Sequence, residues 1–179
     1  MNVSLQELRD TDLPLLLAWA HIKEIWTYLP TSRAGENLTW ESHFGWWRSR
    51  EDRMDWMIRV NLDAYGPRPV GVVIANLRSS EIGLYLGEVT LWGKGIGKEA
   101  LRLGTLRMFH MEHKVIVAVI HPDNLRSIKL FTGLGFRKVG KARGGQDEYR
   151  LDFRTSSRSE GTVSEYSERA RRSLQPSLA

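Results

Sequence analysis

The residues that most clearly suggest chemistry are three closely spaced glycines, Gly93, Gly95 and Gly97. An apolar run from Ile82 to Leu91, interrupted by glycines, leads into them and predicts a strand, and a helical pattern begins directly after them. The N-terminus of a helix has N–H groups without partners and a partial positive charge, and glycines let a phosphate approach the main chain closely. The spacing therefore predicts a strand, loop and helix that bind a phosphate.

Two common nucleotide-binding motifs are excluded by their spacing. The dinucleotide-binding fingerprint needs a glycine at the sixth position from Gly93, and that position holds Lys98. A P-loop needs a glycine where this chain has Trp92 and a serine or threonine where it has Glu99. The loop must therefore belong to another type of phosphate site.

The loop resembles the cofactor loop of the GNAT acyltransferases, Gln/Arg-x-x-Gly-x-Gly/Ala, with Trp92, Gly95 and Gly97 in its first, fourth and sixth places. A second block, from His121 to Phe136, is similar to the family's Asn-x-x-Ala/Ser-x-x-Leu/aromatic-Tyr-x-x-x-Gly-Phe. The two blocks occur in the family's order and separation, so the chain is identified as a member. Without the resemblance, the same glycines and Asn124 would serve only as turn and cap residues.

The resemblance implies acetyl-coenzyme A as acyl donor and no metal. Main-chain groups would hold its pantetheine at Val89, Thr90 and Leu91. N–H groups would bind its pyrophosphate at Gly93, Lys94, Gly95, Ile96, Gly97 and Lys98. Side chains would lie along the cofactor at Asn124, Ser127 and Phe131, with Lys94, Lys98 and Lys129 adding positive charge.

Two positions depart from the family pattern. Trp92 replaces the usual Gln/Arg, as in members that resemble ribosomal-protein N-terminal acetyltransferases. Phe131 replaces the tyrosine that protonates the departing thiolate in many members, and we expect Ser127, one helical turn earlier, to supply that proton. As general base, Glu81 resembles the subgroup's proposed catalytic glutamate, with Glu88 and His43 as alternatives.

The hydrophobic pattern predicts the elements that position these residues, in the order strand, two helices, three strands, helix, strand, helix, two strands. The strands are predicted at Val3–Leu8, Trp56–Val60, Val70–Leu77, Glu81–Leu86, Lys114–Ile120, Phe136–Val139 and Glu148–Phe153. The helices are predicted at Leu13–Ala20, from a cap at Asn37 or Thr39 to about Ser49, after Gly97, and after Asn124. The expected fold is one GNAT-like α/β (α+β) domain, with a mixed, mostly antiparallel sheet of about six or seven strands, splayed at its centre, and about four helices.

Composition and charge narrow the functional classes. The 179 residues suit one domain over residues 1–153, and residues 154–179, with seven serines and five arginines, predict a flexible tail. No apolar run is long enough to span a bilayer, and we expect a cytoplasmic protein with no membrane partner. The absence of cysteine excludes disulfides and thiolate nucleophiles. A net charge of +5 suits a polyanionic cofactor and does not by itself indicate nucleic acid.

The sequence thus predicts an N-acyltransferase that moves an acetyl group from acetyl-coenzyme A to a primary amine by direct attack. The acceptors left open are a protein N-terminus, an amino-sugar nucleotide, an aminoglycoside and a polyamine, with an amino-sugar acetyltransferase as the second choice. A homodimer is also left open. A different class, a non-catalytic acyl-coenzyme A sensor or a nucleic-acid-associated protein, is favoured only by the missing tyrosine at Phe131.

Overall fold

A computed structural model describes residues 2–28, 38–62 and 66–153. Its strands are β1 (Asn2–Glu7), β2 (Arg53–Asn61), β3 (Pro67–Asn76), β4 (Glu81–Leu86), β5 (Val115–Ile120), β6 (Arg137–Lys141) and β7 (Asp147–Asp152). Its helices are α1 (Leu13–Ala20), α2 (Lys23–Trp26), α3 (Trp40–Arg48), α4 (Ile96–His110) and α5 (Leu125–Thr132). The predicted fold class and element order are confirmed, with the one-turn helix α2 as an addition.

The seven strands form one sheet in the order β1-β2-β3-β4-β5-β7-β6. All neighbours are antiparallel except β4 and β5, which run parallel and pair at one position, Glu81 with Val117. Beyond that position β4 keeps its partner β3 but has no partner on its β5 side within the described chain. The predicted splay of the central strands is therefore present between β4 and β5.

The sheet is covered on both faces because β2, β3 and β4 alternate two sets of buried side chains. One set, which includes Trp56, Val73 and Ile82, packs in the same cluster as the buried side of α4. The other set, which includes Met57 and Val72, packs with α1 and α3. Of the described helices, none is long and apolar enough to cross a membrane.

Two of the predicted helix caps are confirmed, whereas α1 begins after Asp12 and not after the expected Asp10 or Thr11, with no side-chain cap. Thr39 caps α3 by accepting a hydrogen bond from the Ser42 N–H, at 3.3 Å. Asn124 caps α5 in the same way through the Ser127 N–H, at 3.2 Å. The alternative cap Asn37 and the predicted tail 154–179 lie outside the described residues.

The strand predicted at Glu81–Leu86 is confirmed with the same bounds, so the apolar run that extends to Leu91 is strand only in its first part. Val89, Thr90 and Leu91 form a 3₁₀ turn in which the Leu91 N–H donates to the Glu88 carbonyl, at 3.0 Å.

The physical reason for the early strand end lies at Gly87 and Trp92. A Cβ at Gly87 would lie 2.1 Å from the Trp19 ring, so the main chain passes directly against α1 at this point. The Trp92 indole then donates to the Leu86 carbonyl, at 3.1 Å, and satisfies the last carbonyl of β4.

Gly87→Ala should destabilise the protein, because the added methyl group would overlap the rigid ring of Trp19. Overpacking of this kind costs about 1–3 kcal/mol of unfolding free energy, measurable by urea denaturation. Gly140→Ala is the matched control, since a Cβ there meets nothing within 4 Å. Equal unfolding midpoints for the two variants would contradict the packing described for Gly87.

Candidate active site

A cavity of about 700 Å³ lies between the sheet and helices α1 to α3. On β2 and β3 it is lined by alternate residues, which share one face of the sheet. On β4 it is lined by every residue from Glu81 to Tyr85. The sheet-wall residues, which lie on the shared face, are Arg53, Asp55, Val72, Ile74, Asn76, Glu81, Gly83 and Tyr85. A Cβ on Gly83 would meet nothing within 4 Å, so the absence of a side chain there keeps the cavity open.

The cavity continues across the gap between β4 and β5 to a second wall. This α5 wall consists of Val119, Ile120, His121, Asn124, Ser127 and Phe131. The Tyr28 ring, which follows α2, lies 5.6 Å from the His121 ring and so connects the helical side of the cavity with the α5 wall. A molecule placed in the gap would therefore be reached from both walls.

The glycine loop presents unused donors next to this gap. Within the described chain, none of the N–H groups from Gly93 to Lys98 donates a hydrogen bond, and α4 has no side-chain cap. Gly93 and Gly95 have φ values of +78° and +83°, which favour glycine. A Cβ on Gly97 would contact Leu84 and Leu130 at 3.5 and 3.7 Å, which places the start of α4 against the edge of β4 and against α5.

Positive charge surrounds the loop, partly from a residue that the sequence did not single out. Lys94, Lys98 and Lys129 are exposed, as expected for side chains that reach a ligand only from the surface. The Arg126 guanidinium lies 4.5 Å from the centre of the Trp92 ring. The contact joins α5 to the loop, and only the fold brings these distant residues together.

The predicted residues of α5 share one side of the helix. Ser127 and Phe131 both line the cavity, one turn apart. The Ser127 hydroxyl makes no hydrogen bond within the described chain, so it does not bond the carbonyl four residues earlier. Phe131 is buried with its ring 5.0 Å from that of Phe136, in an edge-to-face arrangement.

Glu81 lies where β4 and β5 make their single pairing contact, and it borders the cavity. Desolvation by the surrounding protein raises the pKa of its carboxyl, the positive charge of Arg53 opposes this, and the negative charge of Glu148 adds to it. The exposed surface of Glu81 borders the cavity, so the carboxyl is both reachable and partly desolvated. The alternative Glu88 does not line the cavity and lies 3.5 Å from Arg68.

The other alternative, His43, is buried on α3 and lines the cavity, with 5% of its surface exposed. Its Nε2 atom has no hydrogen-bond partner within the described chain. Burial, followed by the positive charges of Arg50 and His21, lowers the pKa of His43. Its imidazole is therefore neutral at pH 7.

A buried ion cluster completes the sheet wall. Asp55, whose side chain is 3% exposed, pairs with Arg50 through one oxygen and lies 3.4 Å from Arg53 through both. Sequence reasoning missed this cluster. The available signal was that Arg53 and Asp55 stand two apart in a strand that is otherwise largely apolar, so both must face the same side.

Tyr85 was also not predicted as a cavity residue. Its ring lies 5.0 Å from that of Trp26 and 6.1 Å from that of Trp19. Burial raises the pKa of Tyr85 well above its ordinary value. Its hydroxyl therefore stays protonated at physiological pH.

Comparisons with known proteins identify the family and show the same fold. The family model described as "Acetyltransferase (GNAT) domain" matches residues 2–137. An uncharacterised protein of Methanocaldococcus jannaschii is 37% identical over 154 residues, which span 85% of this chain but only 31% of that protein. The crystal structure of a domain from M. jannaschii has a TM-score of 0.78 and 36% identity, and covers 85% of this chain and 99% of that domain.

More distant solved structures share the fold. The aminoglycoside acetyltransferase AAC(6')-Ib, in complex with coenzyme A and kanamycin, is 18% identical, with a TM-score of 0.75 over 88% of this chain and 99% of that one. Spermidine N-acetyltransferase from Vibrio cholerae, in complex with coenzyme A and spermine, is 15% identical, with a TM-score of 0.68 over 83% of this chain and 92% of that one. Because the family model covers most of the sequence, the chain belongs to the GNAT acetyltransferase family.

Proposed function

We propose that this chain transfers an acetyl group from acetyl-coenzyme A to a primary amine by direct attack within a ternary complex. The observation that carries the proposal is the single cavity that runs from Glu81 on the sheet wall, across the gap between β4 and β5, to Ser127 on the α5 wall. A thioester in the gap would be open to an amine on one side and to a proton donor on the other. The crystallised relatives with coenzyme A support the choice of acyl donor.

For the cofactor's pyrophosphate we propose the unused N–H groups from Gly93 to Lys98, at the positive end of α4. Lys94, Lys98 and Lys129 are proposed to add long-range attraction, together with Arg126. The side chains of Asn124, Ser127 and Phe131 are proposed to lie along the arm, because all three line the α5 wall.

The main-chain contacts with pantetheine are better assigned to β4 than to the 3₁₀ turn from Val89 to Leu91. The Val117 N–H donates to the Ser80 carbonyl, so strand alternation turns the N–H and C=O groups of Ile82 and Leu84 toward β5. The Ile82 N–H is used in the single pairing contact with Val117, but the Ile82 carbonyl and the N–H and C=O groups of Leu84 have no strand partner in the described chain. They can hold the pantetheine amides, and the Leu84 N–H is our candidate donor to the oxyanion.

The proposed reaction balances with three groups of this chain. The Glu81 carboxylate takes one proton from the acceptor ammonium and passes it to solvent, and the free amine attacks the thioester carbonyl. The nitrogen of the tetrahedral adduct is then positively charged, and it loses its surplus proton to the same Glu81 carboxylate as the amide forms. A main-chain N–H of β4 stabilises the negative charge on the carbonyl oxygen. When the C–S bond breaks, the Ser127 hydroxyl passes a proton to the thiolate, directly or through water, and Ser127 is reprotonated from solvent.

Gly95→Asp should abolish cofactor binding, because it places a carboxylate among the phosphate donors. Its Cβ meets nothing within 4 Å, and the backbone strain at φ +83° is shared by the control below. In the unchanged protein, acetyl-coenzyme A at one hundred times its Kd should add about 2.7 kcal/mol of stability, seen as a rise in Tm. Gly144→Asp is the control, with the same charge and an open position at positive φ. A full rise in Tm for Gly95→Asp would contradict the phosphate assignment.

Glu81→Gln should lower kcat by about 100-fold or more, because the amide cannot accept the ammonium proton. In the unchanged protein kcat/KM should rise with pH as Glu81 loses its proton, at a pH above the ordinary carboxyl pKa because burial raises it. This rise should be absent from the variant. Glu88→Gln, outside the cavity, should retain activity. Loss of activity in Glu88→Gln, with activity retained in Glu81→Gln, would assign the base to Glu88.

Ser127→Ala should lower kcat about tenfold or more, with cofactor affinity little changed, because the side chain acts on the departing thiolate. Adding Phe131→Tyr should restore part of the loss, since a tyrosine hydroxyl would then stand one turn away on the same wall. Steady-state thiol release measures both. Full activity of Ser127→Ala would leave water as the proton source.

A further inference from the structure

Most of the charged side chains that line the cavity are paired with one another. Apart from two histidines, the described lining residues with ionisable acidic or basic side chains are Arg50, Arg53, Asp55 and Glu81. Both oxygens of Asp55 are already engaged by the two arginines. Glu81 is thus the one carboxylate among the described cavity-lining residues that has no ion-pair partner within 4 Å.

One free carboxylate suits one ammonium group. A second ammonium would lie near the guanidinium groups of Arg50 and Arg53, where like charges repel in a partly desolvated site. Kanamycin and spermine, by contrast, carry several amino groups.

Two buried polar atoms of the cavity-lining residues have no hydrogen-bond partner within the described chain, His43 Nε2 and Arg53 Nε. Leaving such atoms unsatisfied is costly, and in native proteins they usually find a partner in water, an ion or a ligand. His43 is 95% buried and borders the cavity, and Arg53 borders the same space. The cavity lining therefore offers a bound molecule a positive charge at Arg53 and a neutral hydrogen-bonding group at His43.

The sheet register fixes the spacing of the two charged ends. Arg53 pairs with Asn76, and Asn76 pairs with Glu81, so the three residues form one row across β2, β3 and β4. Two strand spacings separate the backbones of Arg53 and Glu81 by about 10 Å. A small molecule with groups of opposite charge can span this row.

We propose that the acceptor is a monoamine that carries an anionic group, with its ammonium at Glu81, its anion at Arg53 and its body hydrogen-bonded to His43. This inference rests on the proposed function, because it names the acceptor of the same site. It makes Arg53 the specificity-determining residue, with polyamines as poor ligands.

The test uses the full chain saturated with coenzyme A, so that the glycine loop is occupied, and isothermal calorimetry with four probes. Glucosamine 6-phosphate has one ammonium and one anion, glucosamine lacks the anion, N-acetylglucosamine 6-phosphate lacks the ammonium, and spermidine carries several amines. We expect glucosamine 6-phosphate to bind at least tenfold more tightly than each of the others. Equal or tighter binding of spermidine, or no binding of glucosamine 6-phosphate, would overturn the inference.

Arg53→Gln should weaken the binding affinity for glucosamine 6-phosphate at least tenfold, and it should leave the affinity for glucosamine within about threefold of that of the unchanged protein. Asp55 remains paired with Arg50 in this variant, so the net charge of the cluster falls from +1 to zero and no buried carboxylate is left unpaired. Arg78→Gln is the matched control, because that arginine is 79% exposed and lies outside the cavity. Equal losses of phosphate affinity in both variants would contradict the role of Arg53.

Thiol release, measured in parallel with acetyl-coenzyme A, separates this inference from the proposed function. Preferential acetylation of spermidine would support the transferase and overturn the choice of acceptor. Arg53-dependent binding of glucosamine 6-phosphate without thiol release for any amine would support the ligand assignment and contradict the transferase.

Discussion

The single pairing contact between β4 and β5 is the constraint on which the rest of the site depends. Parallel neighbours normally share an evenly spaced ladder of hydrogen bonds, but here the ladder stops at Glu81 and Val117. The strands then separate, which leaves the inner edge of β4 unpaired and opens the passage from the sheet wall to the α5 wall. A fully paired sheet with the same residues would contain Glu81 and Ser127 but would keep them in separate compartments.

Three local features hold the gap open without a ligand. Gly87 allows the main chain to pass against Trp19, the Trp92 indole satisfies the last carbonyl of β4, and the glycine loop turns the chain into α4. Each feature replaces a hydrogen bond or a packing contact that a continuing strand would otherwise supply. This preorganisation leaves N–H donors in place for phosphate and carbonyl oxygen, so binding need not reorganise them.

Much of the fold and part of the site could be predicted because their signals are local. The glycines before α4, the cap at Asn124 and the one-turn spacing of Ser127 and Phe131 depend on residues close in sequence. The features that were missed depend on contacts between distant segments. Trp19 belongs to the first helix yet determines where β4 ends, and Arg126 reaches Trp92 only after α5 has packed.

The pairing of charges in the cavity also could not be predicted from the sequence. Arg50 precedes β2, Asp55 lies within it and Glu81 begins β4, and a linear pattern does not show which of these charges neutralise one another. The structure pairs Asp55 with Arg50 and Arg53 and leaves Glu81 for the ligand. Burial then raises the pKa of Glu81, as a base for an ammonium group requires, while neighbouring positive charge and burial keep His43 neutral.

The most direct test of the account asks whether the thiol of coenzyme A lies in the gap beside α5. The chain has no cysteine, so Ser127→Cys introduces a single thiol on the α5 wall, and Ser49→Cys introduces one at an exposed site directly after α3. Under mild oxidation with coenzyme A, mass spectrometry should show a mixed disulfide at least tenfold faster for Ser127→Cys, because bound thiols react at high effective concentration. Equal rates for the two variants would contradict the placement of the acyl donor between β4 and β5.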